Sequence, residues 1–203
     1  MKNFSIFIHL FLIASVLCFF PASGMAESQD LSGPGEQSKT FENQHFASME
    51  AKQHLEGGRR LERERNLPGA IASYSKAASI APNLAEAHFA LGEALAKADR
   101  FQEALVRYTL TVTIAPGHRE ALYARSQLCL RMNLYAQAYK DLSRLIGLMP
   151  GVADYHYQRA TTLLKMKSIT EAYHDFLRAH ELDKKYPRPS LIWKQESVAT
   201  KIA

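Results

Sequence analysis

The sequence predicts an all-α solenoid of four helix-turn-helix units, and two observations carry that prediction. Pro82, Pro116 and Pro150 are spaced at 34 residues, with Lys184 one period further on. Three more series keep the same period: Ala70, Ala104, Ala138 and Ala172; Tyr74, Tyr108, Leu142 and Phe176; and Leu61, Leu95, Cys129 and Leu163. A fixed period of roughly 20 to 50 residues marks a repeat architecture, in which one supersecondary unit cannot bury its apolar face alone and stacks on its neighbours.

The units span residues 51–84, 85–118, 119–152 and 153–186. In each, a small alanine belongs where two antiparallel helices approach, and a large apolar residue where the second helix fills the gap. Turn signals separate the paired helices at Asn66-Leu67-Pro68-Gly69, Ala98-Asp99-Arg100, Met132-Asn133-Leu134 and Lys167-Ser168. Proline closes the unit because it has no amide hydrogen and cannot continue the helix. Gly57-Gly58 should loosen the first helix by about 1 kcal/mol per glycine relative to alanine. Residues 187–203 read as a C-terminal capping helix, with Ser190 at its start and Leu191, Ile192, Trp193, Val198 and Ile202 as an apolar stripe.

Residues 1–26 read as a signal peptide. Lys2 supplies the positive start, Phe4 to Phe20 is apolar apart from Ser5, His9 and Ser15, and small residues follow, with cleavage after Gly24 or Ala26. An uncleaved membrane anchor is the alternative, since the apolar stretch approaches the roughly 17 to 25 residues a spanning helix needs. Residues 27–50 read as a disordered polar leader. With Cys18 in the removed segment, Cys129 remains as a single cysteine and reads as a small core hydrophobe. The expected location is exported: periplasm in a Gram-negative source, ER lumen or secreted in a eukaryotic one, membrane-anchored if the first segment is retained.

Charge is unevenly placed. Residues 27–50 hold five acids against Lys39, whereas residues 52–203 hold 23 Lys and Arg against 15 Asp and Glu, so the leader is −4 and the repeat region +8. A basic body favours acidic partners or anionic surfaces. Nucleic acid is not expected, because no aromatic-rich RNA-binding motif accompanies the charge. Neither a catalytic site nor a cofactor is expected: there is no Gly-rich phosphate loop, no nucleophile elbow and no H-E-x-x-H. His54, His88 and His156 share one register position but lack a carboxylate or histidine partner at zinc-motif spacing, so no metal site is expected.

Leu91-Gly92, Leu95, Ala104, Tyr108 and Pro116 reproduce the pattern of the tetratricopeptide repeat family, and the chain resembles that family over about two thirds of its length. Gly57 stands where the family has leucine, and Ser126 and Ala160 replace its glycine. The resemblance implies an α-α superhelix whose first helices line a concave binding groove. Carried over by register, it gives three rows of groove residues: Leu55, Phe89, Tyr123 and Tyr157; Arg59, Glu93, Gln127 and Thr161; and Arg63, Lys97, Arg131 and Lys165. An aromatic strip beside a line of positive charge suits a peptide of acidic character. The family's clamp for C-terminal carboxylates is a Lys and Asn pair at the positions held here by Leu55 and Arg59, so tail capture by that clamp is not expected.

The function expected on this basis is a non-catalytic scaffold or adaptor for a partner polypeptide. A co-chaperone-like holdase is the alternative, because Gln53 to Leu61 is similar to the start of the repeat region of an ER-lumenal co-chaperone with a J domain. Self-association through unfinished repeat ends is a further possibility.

Overall fold

Every turn between paired helices is built on one hydrogen-bond pattern, which the sequence repeats at 34-residue intervals. Arg65, Asp99, Asn133 and Lys167 take positive φ of 57° to 64°. The next amide in each case donates back across the turn: Asn66 to the Leu61 carbonyl at 2.8 Å, Arg100 to Leu95 at 2.9 Å, Leu134 to Cys129 at 2.8 Å and Ser168 to Leu163 at 2.9 Å. This is the Schellman closure, with a left-handed residue ending the first helix and reversing the chain. The series Leu61, Leu95, Cys129 and Leu163 therefore supplies the acceptor of each turn as well as an apolar side chain.

The computed structural model describes residues 34–189, with side chains from residue 45 onward. The described residues form eight helices: α1 (Pro34–Arg63), α2 (Leu67–Ile80), α3 (Ala85–Lys97), α4 (Phe101–Ile114), α5 (Arg119–Arg131), α6 (Tyr135–Leu148), α7 (Ala153–Lys165) and α8 (Ile169–Leu182). No strand occurs among them, and the fold is an all-α helical-repeat solenoid. None of these helices is long and apolar enough to cross a membrane. The chain divides into two compact units, Met1–Thr40 and Phe41–Ala203; of the first, residues 34–40 are described and are helical. The signal or anchor segment and residues 190–203, with Ser190 and Trp193, lie outside the described residues.

The leader expected to lack structure over residues 27–50 is helical from Pro34 onward. Its polar composition concealed a cooperative effect: once residues 51–63 are packed, each residue added to the helix fixes one more backbone hydrogen bond without a new nucleus. Proline is tolerated at Pro34 because the first helical amide has no intrahelical partner.

The small and large series meet in the core. Ala70, Ala104, Ala138 and Ala172 are fully buried, and Tyr74, Tyr108, Leu142 and Phe176 nearly so. The prolines follow the last residues of α2, α4 and α6 by two positions, after the capping residues Ala81, Ala115 and Met149. Two of the histidines are accounted for here, since the Nε2 of His88 lies 2.9 Å from the Pro82 carbonyl and that of His156 3.1 Å from the Pro150 carbonyl. Each ring N–H thus ties the following helix to the turn that proline creates.

The glycine pair divides into two roles. A Cβ on Gly58 would stand 2.4 Å from the Tyr74 ring, whereas one on Gly57 would meet nothing within 4 Å. Gly58 is therefore required by packing, and the expected loosening belongs to Gly57 alone. Gly57→Ala is expected to stabilise the chain by about 1 kcal/mol through helix propensity, measured as a higher urea midpoint with an unchanged slope.

Candidate functional site

The three rows read from the register fall at three depths. In the first, Phe89, Tyr123 and Tyr157 are half-buried, on α3, α5 and α7. Their rings extend into an aromatic array: Phe89 lies 4.8 Å from the His118 ring, Tyr123 5.7 Å from Tyr155, and Tyr157 5.3 Å from Phe176 and 4.8 Å from Tyr186. Leu55 departs from the row. It is 2 % exposed and packs in the core with Ala70 and Tyr74, because a leucine is too short to extend past the packed layer as a Phe or Tyr at the same register does. It is a core residue, and the expectation that it contacts a partner is corrected.

The second row holds the polar floor. Glu93 accepts from the Tyr108 hydroxyl at 2.7 Å. Burial and then this carboxylate push the Tyr108 phenol far above its usual range, so the group stays a protonated donor. Arg59 is held by Glu86 and by Glu56, the latter at 2.5 Å, and its charge is answered within the protein. Gln127 and Thr161 are half-buried; the Thr161 hydroxyl donates to the Gln158 carbonyl at 2.8 Å, and the Gln127 side-chain nitrogen has no hydrogen-bond partner among the described residues. Tyr123 adds a donor the register did not suggest: its hydroxyl reaches Asp154 at 2.9 Å, with burial and then that carboxylate raising the phenol to about 12.

Arg63, Lys97, Arg131 and Lys165, the third row, are all exposed and sit at or next to the C-terminal ends of α1, α3, α5 and α7, where the helix dipole favours positive charge. They are not equivalent. Lys97 donates to Glu62 at 2.7 Å, and Arg131 lies over the Phe101 ring at 4.2 Å. Burial alone would raise the Glu62 carboxyl, but the hydrogen bonds from Lys97 and Tyr74 outweigh it and hold the group below the usual range. A carboxyl lowered in this way stabilises the fold above its unfolded pKa, and that contribution is lost as pH falls through the folded value. Between α1 and α3, Arg59, Glu62, Glu86, Phe89, Glu93 and Lys97 line an open cleft of about 640 Å³. Its charges are largely paired with one another, whereas Arg63, Arg131 and Lys165 make no ion pair among the described residues.

Sequence reasoning missed a second polar system, buried on the other side of the first helices. Arg125 grips Asp141 with two bonds of 2.8 and 2.6 Å and reaches the Thr109 hydroxyl at 3.3 Å. Arg159 does the same one period later, holding Asp175 at 2.6 and 2.7 Å and Ser143 at 3.2 Å. Each arginine thus joins the second helix of the preceding unit to the second helix of its own. The signal was present, since Arg125 and Arg159, Asp141 and Asp175, and Thr109 and Ser143 are each 34 residues apart. Cys129 is fully buried, and burial pushes its thiol up to about 11, which keeps it a neutral packing group. No cluster able to hold a metal ion occurs among the described residues.

Residues 64–99 match the TPR repeat family. No curated protein matches the sequence. Among solved structures, MamA (residues 41 to the end) from Desulfovibrio magneticus RS-1 aligns with a TM-score of 0.62 at 21 % identity, over 66 % of this chain and 76 % of that one. YrrB, described as a TPR protein with an unusual peptide-binding site, aligns with a TM-score of 0.62 at 18 % identity, over 72 % and 74 %. The first TPR of Spaghetti (RPAP3), bound to the HSP90 peptide SRMEEVD, aligns with a TM-score of 0.55 at 18 % identity, over 59 % and 95 %. The family match covers α2 and α3, and the chain shares the helical-repeat fold of these solved structures across its paired helices.

Proposed function

We propose that the chain is a non-catalytic scaffold that holds a segment of a partner polypeptide along the face formed by α1, α3, α5 and α7. The observation that carries this reading is the half-buried aromatic row Phe89, Tyr123 and Tyr157 beside the exposed cations Lys97, Arg131 and Lys165. Rigid, partly exposed rings give large contact area at low entropic cost, and flanking charge selects the sign of the ligand. Two structural neighbours support it by analogy, one described by its peptide-binding site and the other solved with a bound peptide. Because Arg59 and Lys97 are already paired, acidic side chains of a ligand belong opposite Arg63, Arg131 and Lys165. As part of the same proposal, residues 1–26 direct the protein to an exported compartment.

The test is selection from a random peptide library against the full chain, followed by fluorescence anisotropy with a selected peptide. Tyr123→Ala together with Tyr157→Ala is expected to weaken binding by at least tenfold, and Arg131→Glu with Lys165→Glu to reverse the preference for acidic peptides. Selected peptides indifferent to both pairs of changes would overturn the reading. Weak binding of many unfolded chains, abolished by the tyrosine changes and unaffected by the charge changes, would identify a holdase.

A further inference from the structure

One edge of the solenoid, formed by the turns between paired helices, changes character halfway along. In the first two units, residues 63–72 and 97–106 carry four cations (Arg63, Arg65, Lys97, Arg100) and three acids (Glu64, Asp99, Glu103). Two of the four cations are paired, since Arg100 holds Glu103 at 2.6 Å and Lys97 holds Glu62 at 2.7 Å, while the exposed Arg63 and Arg65 make no ion pair among the described residues. In the last two units the equivalent residues, 131–140 and 165–174, carry four cations (Arg131, Lys140, Lys165, Lys167) and one acid, Glu171. All four cations are exposed, and none makes an ion pair among the described residues.

Apolar side chains project from the same turns. Leu134 is 42 % exposed, Met166 40 % and Ile169 55 %. Leu134 and Met166 line a single shallow cleft with Lys140, so the two turns are contiguous. Leu134 is also placed against local preference. It occupies the N-cap of α6 and makes no side-chain cap bond, whereas the equivalent residue in the first unit, Asn66, accepts from the Gly69 amide at 3.0 Å. Leucine ranks far below asparagine or serine at this position. A local rule broken to expose an apolar residue points to a use for that residue.

We propose that this edge, from Arg131 to Ile169, docks on an anionic lipid surface. Unpaired lysine and arginine supply attraction to lipid headgroups, and Leu134, Met166 and Ile169 insert at the boundary with the acyl chains. A lipid surface fits better than a folded acidic protein because the apolar groups stand at successive helix ends, each flanked by a cation, and do not form one deep pocket. The edge shares Arg131 and Lys165 with the peptide-binding face, whereas Leu134, Lys140, Met166, Lys167 and Ile169 belong to the edge alone.

The test is co-sedimentation of the full chain with vesicles of phosphatidylcholine alone and with about one third phosphatidylglycerol. Preference for the anionic vesicles is expected, falling at least tenfold in Lys140→Glu, Lys165→Glu, Lys167→Glu and in Leu134→Ser, Met166→Ser, Ile169→Ser. Arg65→Glu, Arg100→Glu, on the same edge of the first two units, serves as the control and should retain the preference. Circular dichroism melting confirms that each variant is folded. Equal sedimentation with both vesicle types, or a preference unchanged in both triple variants, overturns the proposal. No lipid preference, with capture of poly-glutamate that the lysine variant loses, overturns it in favour of an acidic polypeptide.

Discussion

Arg125→Ala is expected to destabilise the protein by about 3–5 kcal/mol, read as a lower urea midpoint. Asp141 is 3 % exposed and would be left buried without its bidentate partner. Breaking a buried pair costs about this much because the remaining charge stays desolvated and uncompensated. The loss also removes the contact from Arg125 to Thr109 across the unit boundary. Replacing both partners, Arg125→Leu with Asp141→Leu, is expected to recover most of the stability, since apolar residues of similar volume can replace a buried pair at little net cost. If the alanine variant lost less than about 1 kcal/mol, the pair would have to be solvated in solution, with the third unit looser than the structure shows.

Gly92→Ala should cost about 1–3 kcal/mol, the range for forcing extra volume into a packed core. A Cβ at this position would lie 2.7 Å from the Tyr108 ring, which is itself held by its bond to Glu93. Gly58 faces Tyr74 in the same way, and the Tyr74 hydroxyl reaches Glu62 at 2.8 Å. In the third unit the same two register positions hold Ser126 and Leu142. Tyr108→Leu should therefore relieve much of the clash in Gly92→Ala, and a double-mutant cycle by urea denaturation measures the coupling. Additive losses would mean that the ring and the glycine do not constrain each other.

These two positions show how far the fold was legible and where reading along the chain failed. The register series marked Gly92 as a family position and Tyr108 as a core residue, but the reason one needs the other lies in a contact across the hairpin. Arg125 and Asp141 were harder to read. Each shares its helix with exposed charges and looks like one of them, and only the packing of consecutive second helices encloses them. Leu55 failed in the opposite direction. Its register placed it beside Phe89, but its length keeps it beneath the surface.

By itself the sequence determined that the chain is helical, that the units repeat every 34 residues and roughly where the chain turns, although Leu67, Pro68 and Gly69, read as part of the first turn, open α2. Those properties depend on interactions within one hairpin, such as turn closure, proline after the cap and an alanine facing a large side chain, and each leaves a residue in a fixed place. The tertiary structure alone decided which charges are free. Lys97 and Glu62 are 35 residues apart, and no period records that they meet; Arg125 and Asp141, 16 apart, recur as Arg159 and Asp175, but the recurrence does not say that they pair. Binding character follows from that residue of unpaired charge and exposed ring, a difference between neighbours in space that the one-dimensional pattern does not contain.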